Sequence, residues 1–542
     1  MSSSSASVDR SRFLMSVVGE VIGGSFHLFW GGVLATALSA ICGITIASLL
    51  GPELYGIYSL TFVVPGFLML LTDYGVSRAL TRFIALHMSR GESGKVVRLL
   101  RASLTFSLVI SFVIFTMGLV FVKQLTSLLI NRPEMAHLVA MMLILALAQP
   151  ISTVAGSTLL GFGEIKKYAM IDVVRQAFRA VLGPMLLIMG FGILGAVVGN
   201  VLAYIAGAAL SLVLVYHCYR QIKEDYWKAG TSFEGGSRGV LVSMMSYGFP
   251  LHLTGVLYSF ILTFRGIVLA HFVANELIGN FGVALNLAVL ITLISTPVAT
   301  SLFPGFSKLG YGDEAKTMFT LSVKYASMLI VPSVVFVAAM SRSLVHALFG
   351  ESYHYAPLYL STYVMIYLLA GLGSTVLDSF FAGIGDSTMN LKIAILHAVL
   401  FAALSVPLTA NLKVEGLLIA IIIATGVSVL YGLRCAIKKY NVKVDFNASS
   451  RVYFASLIAV TPIIPVSLYS PLPSIINLAM CASVYLVAYL TVAPILGVLT
   501  SWDLENLTRM YSKITIIRPL VKAISRYEYK IIRLMGSRGQ DL

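Results

Sequence analysis

Charged residues are scarce in this sequence, since Asp, Glu, Lys and Arg together make up 11% of its 542 residues. Soluble globular domains carry about 25%, so the composition excludes a water-soluble globular protein. Hydrophobic residues make up 58% of the chain, and apolar runs of roughly 20 residues, long enough to cross a bilayer core of about 30 Å, recur along it. These runs do not alternate between apolar and polar residues, which excludes a membrane β-barrel and favours helices.

Cysteines and nucleotide-binding motifs are also sparse. The four cysteines lack the spacing of a disulfide framework or a metal site; they are Cys42, Cys218, Cys435 and Cys481. No Gly-Lys-Ser/Thr phosphate-binding motif occurs. The Gly-x-Gly pairs 161–163 and 383–385 follow apolar runs and not strands, so we interpret them as helix-terminating turns. The sequence therefore predicts no cofactor and no metal, and it leaves coupling to Na⁺, H⁺ or the membrane potential open.

Apolar windows predict about fourteen transmembrane helices. They cover residues 25–50, 54–77, 104–122, 138–160, 168–190, 193–217, 245–271, 277–304, 318–340, 358–382, 390–410, 414–434, 452–470 and 475–499. We expect the first of them to be retained, because no signal-peptide pattern precedes it. An even number of spans places both termini on the same side of the membrane.

The basic residues are distributed unequally between the predicted loops. Of the 38 Lys and Arg residues, 30 fall on the side of the two termini, four on the other side and four within spans. Loops rich in Lys and Arg stay in the cytoplasm. We therefore predict a multi-pass protein of the cytoplasmic (plasma) membrane with both termini cytoplasmic. The net charge of +15 then reflects topology and contact with anionic lipids, and it does not require a nucleic-acid partner.

An internal repeat with an offset of about 222 residues runs through the first twelve predicted spans. Matching pairs include ELYG at 53–56 with ELIG at 276–279, GFGE at 161–164 with GIGD at 383–386, and LG at 194–195 with EG at 415–416. Because each copy holds an even number of spans, the two copies are parallel repeats. We predict an all-α integral membrane fold with two six-helix lobes around a central cavity, and two extra C-terminal helices.

This organisation divides the chain into seven predicted segments. They are a cytoplasmic N-terminus (1–24), the first lobe (25–217), a cytoplasmic linker (218–244), the second lobe (245–434), a cytoplasmic loop (435–451), the extra helices 13 and 14 (452–499) and a basic amphipathic cytoplasmic tail (500–542). Two similar six-helix lobes that face each other would enclose a central site and rock about it.

Two stretches around the second span carry a resemblance to a known family. Residues 50–58 read LGPELYGIY and residues 73–85 read DYGVSRALTRFIA. Both resemble polysaccharide-transporter, or O-antigen-type, oligosaccharide flippases of the multidrug/oligosaccharidyl-lipid/polysaccharide exporter superfamily. The resemblance implies a flippase, and not an enzyme, that carries a polyprenyl-(pyro)phosphate-linked oligosaccharide across the cytoplasmic membrane.

The resemblance implies a lipid-linked oligosaccharide with an anionic head group as the substrate, and the charge distribution adds membrane lipids as partners. The basic tail either lies on the inner leaflet or docks a partner such as a glycosyltransferase or a polymerase. The fourteen spans resemble the lipid II flippase branch, which implies that spans 13 and 14 hold the polyprenyl tail.

Span 5 carries three ionisable residues, Asp172, Arg175 and Arg179, at spacings that place them on one helical face. Charges within a membrane are costly, and they mark functional sites by default. Guanidinium groups suit phosphate, so our functional hypothesis is that Arg175 and Arg179 bind the head group in a central cavity. The structural alternative is a local Asp172–Arg175 pair, with Arg179 bonded to a neighbouring helix.

Four further residues are candidates. Arg265 in span 7 either contributes to the substrate site or snorkels to the membrane surface. The family resemblance implies that Asp73 and Arg82 act at the inner mouth of the cavity, where they would lock one bundle to another. Asp378, near the inner end of span 10, is the candidate partner for them.

Two other function classes compete with a flippase. A cation-coupled multidrug exporter of the same superfamily is the main alternative, but spans 1 and 7 contain no carboxylate to bind a cationic drug. A membrane polymerase or ligase needs catalytic residues in a large external loop, and the predicted outer loops are short. The sequence therefore favours the flippase.

Overall fold

The computed structural model describes residues 2–228, 237–469, 473–499 and 525–531. These described residues form helices joined by short turns and contain no strand, which confirms the all-α prediction. Most of the predicted tail, residues 500–524 and 532–542, lies outside the described residues.

Nineteen α-helices are numbered here in chain order. They are α1 (Ser2–Leu60), α2 (Val63–Met69), α3 (Val76–Ser89), α4 (Ser93–Val120), α5 (Val122–Ile130), α6 (Ala136–Met142), α7 (Ile144–Gly161), α8 (Ile165–Leu186), α9 (Gly192–Lys228), α10 (Ser237–Phe272), α11 (Asn275–Leu309), α12 (Asp313–Ala339), α13 (Ser341–Phe349), α14 (Ala356–Val364), α15 (Ser374–Gly383), α16 (Ser387–Tyr440), α17 (Phe446–Ile458), α18 (Ile463–Tyr469) and α19 (Ser474–Ile495). Short 3₁₀ or π segments follow α5, α8 and α14, and residues 525–531 form one more helical segment.

Ten helical stretches of the described chain are long and apolar enough to cross a membrane. An eleventh is gained if the pair Ala356–Leu372 and Ser374–Gly383, bent by 51°, counts as one span. Three of the stretches contain residues with non-helical backbone angles, at Gly51, Gly190 and Lys413. At the Gly190 break the chain folds back, so that α8 and α9 pack closely against each other. The closeness is visible at Gly199 of α9, where an added Cβ would lie 2.5 Å from the backbone nitrogen of Gly183 in α8. The protein is therefore a multi-pass membrane protein, and the number fourteen stays a prediction.

The second predicted span, 54–77, is wrong as a continuous helix. Helix α2 ends at Met69, and α3 begins at Val76. Between them Tyr74 and Gly75 adopt positive φ angles of 47° and 83°. This left-handed backbone stops a helix, and it is tolerated at Gly75 because glycine has no Cβ. The family-like DYG motif is thus a break in a helix and not part of one.

The chain folds into two compact units. The first comprises Met1–Gly282 and Ser405–Leu417, and the second comprises Val283–Leu404 and Leu418–Leu542. Helix α10 therefore belongs to the first unit, although the repeat assigns it to the second six-helix copy. Its C-terminal end is fixed by Arg132, which donates to the carbonyl oxygens of Ala270 at 2.5 Å and Val273 at 2.8 Å. The predicted lobe boundaries stay a prediction.

The internal repeat is visible in matching close approaches within each unit. In the first unit, a Cβ on Gly161 would lie 2.7 Å from the Cβ of Ile84. In the second unit, a Cβ on Gly383 would lie 2.4 Å from the Cβ of Phe306. Both residues of the second pair lie 222 positions after those of the first, so the repeat preserves a helix contact that only glycine permits.

The two Gly-x-Gly pairs end helices, as the sequence analysis predicts. Gly163 and Gly385 have φ angles of 77° and 87°. The next amide in each turn reaches back to a helix carbonyl: Glu164 N–H donates to Leu159 at 2.9 Å, and Asp386 N–H donates to Phe381 at 2.8 Å. This is the Schellman pattern of a helix C-terminus, so a nucleotide-binding interpretation of these glycines is unnecessary.

The last spanning helix, α19, docks in the second unit through tyrosine hydroxyls. Pro332 in α12 has no N–H, so it leaves the carbonyl of Met328, four residues earlier, without its helical donor. The hydroxyl of Tyr489 donates to that carbonyl at 3.1 Å, and Tyr485 donates to the carbonyl of Pro332 at 2.9 Å. An unsatisfied carbonyl is expensive where water is absent, so these hydroxyls stabilise the kinked helix.

We predict that Tyr489→Phe destabilises the protein by about 1–2 kcal/mol, because the Met328 carbonyl loses its donor. Pro332→Ala restores an N–H to that carbonyl, so the same tyrosine change should cost much less in the alanine background. Thermal unfolding of the two single variants and the double variant in detergent measures this coupling. Tyr216→Phe, at an exposed position, is the matched control. Equal costs in both backgrounds would contradict the proposed donor role.

The helical segment 525–531 carries a buried carboxyl group. Glu528 is 2% exposed, and burial raises the pKa of its side chain to about 7. The neighbouring Tyr527 hydroxyl lies 2.8 Å from Thr491 Oγ1 of α19, so this part of the tail is docked on α19.

Docking of this segment should weaken as the pH rises. The pKa of Glu528 is raised in the docked state, so the stabilisation is complete below its ordinary value of 4.5 and is lost as the pH rises through about 7. We predict that Glu528→Gln keeps the segment docked at pH 8, as measured by amide hydrogen exchange of residues 525–531. The exposed Glu351→Gln change serves as control. An unaltered pH dependence in Glu528→Gln would overturn the assignment.

Candidate functional site

The three ionisable residues of predicted span 5 lie on α8, inside the first unit. The guanidinium of Arg175 pairs with Asp172 one turn earlier and donates to Gln149 Oε1 of α7 at 3.1 Å. Its Cζ lies 4.8 Å from the ring centroid of Tyr204 on α9. We call Asp172, Arg175 and Arg179 the arginine cluster. Three helices thus hold Arg175 in one orientation.

Arg179 contacts residues that lie on both sides of the break at Gly51 in α1. Its Nη1 donates to Ser39 Oγ at 3.5 Å, and its Cζ lies 6.0 Å from the ring centroid of Phe62. The phenol of Tyr58 also interacts electrostatically with the guanidinium. These contacts come from both sides of the break at Gly51, which brings residues 39 and 58 together.

The local contacts agree with the structural alternative, since Asp172 pairs with Arg175 and Arg179 is bonded to a neighbouring helix. One buried polar atom of Arg179, its Nε, nevertheless has no hydrogen-bond partner among the described residues. Leaving such a group unpaired costs about 1–3 kcal/mol. Because Nε can only donate, it suits an anionic acceptor. The binding role of the cluster stays a prediction.

Arg265 lies on α10, with its Cζ 5.5 Å from the ring centroid of Phe281. Its neighbour Gly266 packs against Val63 in the first turn of α2, where a Cβ would meet the Val63 side chain at 2.6 Å. Phe62, which contacts Arg179, directly precedes Val63. Helices α8 and α10 therefore both reach the start of α2, although Arg265 itself is held by a different ring. Its role in the substrate site stays a prediction.

A second polar arrangement joins α3 to α10, and we call it the α3–α10 contact. Asp73 in the break before α3 accepts from the Ser77 backbone N–H at 3.1 Å and from Ser77 Oγ at 2.5 Å. Its other oxygen, Oδ2, lies 3.3 Å from His252 Nδ1 on α10. Asp73 thus caps the start of α3 and reaches α10 with the remaining oxygen.

Arg82 belongs to the same contact, because its Cζ lies 4.2 Å from the ring centroid of Tyr247 on α10. The predicted span 54–77 placed Asp73 in a helix, whereas in the structure Asp73 precedes α3 and Arg82 lies within α3. Asp378 lies on α15 in the second unit, where its backbone carbonyl accepts from Asn390 at 2.9 Å. Its pairing with Asp73 or Arg82, and the gating role of all three, stay predictions.

The α3–α10 contact is closed by two glycines. A Cβ on Gly75 would lie 2.2 Å from the carbonyl carbon of Gly248, and a Cβ on Gly248 would lie 2.0 Å from the carbonyl oxygen of Gly75. No other residue fits at either position without separating the two backbones.

Sequence reasoning missed several residues of both arrangements, namely Tyr58, Gln149, Tyr204 and Tyr247. Gln149 had a detectable signal, because it is an uncharged amide within a long apolar run. The tyrosines had none, since aromatic residues are common throughout these spans. No group of three or more His, Cys, Asp or Glu side chains suited to a metal ion occurs in the described part of the chain.

A family profile covers the region that holds both arrangements. Residues 21–310 match the family described as "Polysaccharide biosynthesis protein", and this stretch exceeds half of the chain. The protein belongs to this family.

A relative in sequence and two solved structures resemble this chain. Stage V sporulation protein B of Bacillus subtilis (strain 168) is 22% identical over 496 residues, which cover 80% of this chain and 92% of the relative. Among solved structures, the lipid II flippase MurJ in an inward closed conformation matches 86% of this chain and 98% of its own, with a TM-score of 0.68 and 14% identity.

An inward-facing multidrug resistance MATE family transporter of the MOP superfamily matches 75% of this chain and 94% of its own. Its TM-score is 0.62, and its sequence is 19% identical. At these identities the two structures show a shared fold. The chain is thus a member of the polysaccharide biosynthesis protein family, and it has the fold that these two solved structures share.

We predict that Gly248→Ala separates α3 from α10, because the added methyl group would overlap the Gly75 carbonyl. The expected result is a loss of stability of about 2 kcal/mol or more, in the range of overpacking at a rigid contact. Gly239→Ala, on the same helix, is the matched control, since its Cβ position has no described residue of another segment within 4 Å. Thermal unfolding in detergent measures both, and equal stability of the two variants would refute the tight contact.

Proposed function

We propose that this protein is a flippase that moves a polyprenyl-(pyro)phosphate-linked oligosaccharide across the cytoplasmic membrane by alternating access. The observation that carries the proposal is the arginine cluster in the first unit. It presents two guanidinium groups against one carboxylate, and the Nε of Arg179 is buried without a partner among the described residues. A phosphate or pyrophosphate head group supplies the acceptor oxygens that these donors lack.

The family context supports the lipid-linked substrate. The matched profile is described as a polysaccharide biosynthesis protein, and the neighbour MurJ is named a lipid II flippase. A lipid-linked sugar combines an anionic head group, for which the cluster is suited, with a tail that remains in the bilayer. Both termini would then be cytoplasmic, in line with the distribution of Lys and Arg. Enzymes that build or polymerise the glycan are the expected partners, and the flippase itself would catalyse no chemical step.

Multidrug export is the less favoured alternative. A cationic drug needs an available carboxylate in a desolvated site, whereas Asp172 is paired with Arg175 and stands against two positive charges. The cluster would repel a cation and attract an anion. The fold shared with a multidrug transporter does not decide between them, because one fold serves different substrates.

We predict that Arg175→Gln with Arg179→Gln slows flipping of a polyprenyl-pyrophosphate oligosaccharide in reconstituted vesicles by about 100-fold or more. Each charge-assisted hydrogen bond contributes about 1.5–3 kcal/mol, and each 1.4 kcal/mol corresponds to about a tenfold change. Glutamine retains hydrogen-bonding capacity and volume but removes the charge. Arg90→Gln, at the exposed end of α3, controls for loss of a positive charge elsewhere.

The carboxylate offers an independent check. Asp172→Asn frees Arg175 from its ion pair, so binding of polyprenyl pyrophosphate should become several-fold tighter while the double glutamine variant loses it. Unfolding temperatures near wild type show that each variant is folded. Wild-type flipping in the folded double variant would disprove the proposed head-group site, and preferential binding of a cationic drug would favour the alternative.

A further inference from the structure

His252 on α10 has one partnered nitrogen and one unpartnered nitrogen. Nδ1 lies 3.3 Å from Asp73 Oδ2, whereas Nε2 is buried and has no hydrogen-bond partner among the described residues. The rest of Asp73 is committed to the start of α3 through Ser77. The second polar atom of the imidazole is therefore buried and unpaired within the described residues.

This geometry distinguishes the protonation states of the imidazole. With one proton, on Nδ1, the ring presents its N–H on the side of Asp73 Oδ2, 3.3 Å away, and Nε2 keeps only a buried lone pair. A second proton on Nε2 would create a buried N–H without an acceptor among the described residues, and leaving a buried donor unpaired is costly.

The charged groups around the ring act in opposite directions. Of the described residues, Asp73 from the break and Arg78 from α3 are the charged groups that act electrostatically on His252. Asp73 favours an imidazolium, whereas Arg78 disfavours it. Asp73 Oδ1 is already bonded to Ser77, and Oδ2 lies beside Nδ1. The charge of Asp73 therefore favours the imidazolium, but neither of its oxygens serves as an acceptor for Nε2.

We propose that Asp73 and His252 form a proton-binding site, and that a proton taken up at Nε2 loosens the α3–α10 contact. The inference rests on the proposed function in one respect, since the movement of α10 would be a step of the transport cycle. The described conformation is then the deprotonated one, and acidification shifts the population towards a conformation in which Nε2–H meets water or another acceptor.

Different groups hold the two ends of α10, so protonation of His252 affects only the N-terminal end. Its C-terminal end is held by Arg132 through backbone carbonyls, and neither an arginine nor a carbonyl titrates between pH 5 and 8. The N-terminal half is held by the close approach of Gly75 to Gly248 and by the Asp73–His252 pair. Protonation therefore weakens the N-terminal contact and leaves the Arg132 contact unchanged.

Amide hydrogen exchange of the full-length protein in lipid nanodiscs, without substrate, tests the proposal. We expect exchange of residues 72–80 and 246–254, corrected for the intrinsic effect of pH, to be several-fold faster at pH 5.5 than at pH 8. His252→Gln should abolish this difference, because glutamine does not titrate in this range. His271→Gln, on the exposed last turn of the same helix, should leave it as in wild type.

Asp73→Asn is a second, conservative variant that should preserve the fold. It retains an oxygen for Ser77 but removes the charge that favours the imidazolium, so the transition should move to lower pH. A pH difference that persists in His252→Gln, or its absence in wild type, would overturn the proton site. Flipping assays on the same variants separate the two proposals: a pH-dependent contact in a protein that flips no lipid-linked sugar refutes the flippase and leaves the proton site standing.

Discussion

Backbone polar groups within a bilayer have no water to bond with, and the architecture of this protein depends on that constraint. Regular helices satisfy these groups by themselves, so the informative places are those where a helix is interrupted. Asp73 accepts from the Ser77 amide at the start of α3. Arg132 covers the carbonyls at the end of α10, and Tyr489 covers the carbonyl that Pro332 leaves open. In the last two cases a side chain from a distant segment supplies the bond, which ties that segment to the interrupted helix.

The candidate functional groups lie at such interruptions. The break at Gly51 in α1 lets Ser39, which precedes it, and Tyr58, which follows it, both approach Arg179. The break at residues 70–75 places Asp73 against His252. Both arrangements belong to the first compact unit. The same backbone constraint that shapes the fold therefore also positions the ionisable side chains.

The repeat shows what duplication preserves and what it does not. The glycine contacts at 161 and 383 and the turns that follow them keep the same geometry in both units, because a helix crossing of this closeness leaves no room for a side chain. The arginine cluster has no such restriction. At the positions 222 residues later, Ala394, His397 and Phe401 replace Asp172, Arg175 and Arg179, so the two copies share packing and differ in charge.

The sequence by itself determined that the chain is an all-α membrane protein with an internal repeat, because hydrophobic length and glycine spacing are local properties of a helix. It also identified Arg175 and Arg179, since charges within apolar runs are conspicuous. Only the tertiary structure decided which groups meet them, as with Gln149 and Tyr204, and only it placed α10 in the first unit. It also turned Asp73 from a helical residue into a cap that faces His252. These outcomes depend on contacts between segments far apart in the chain, which no local pattern of residues records.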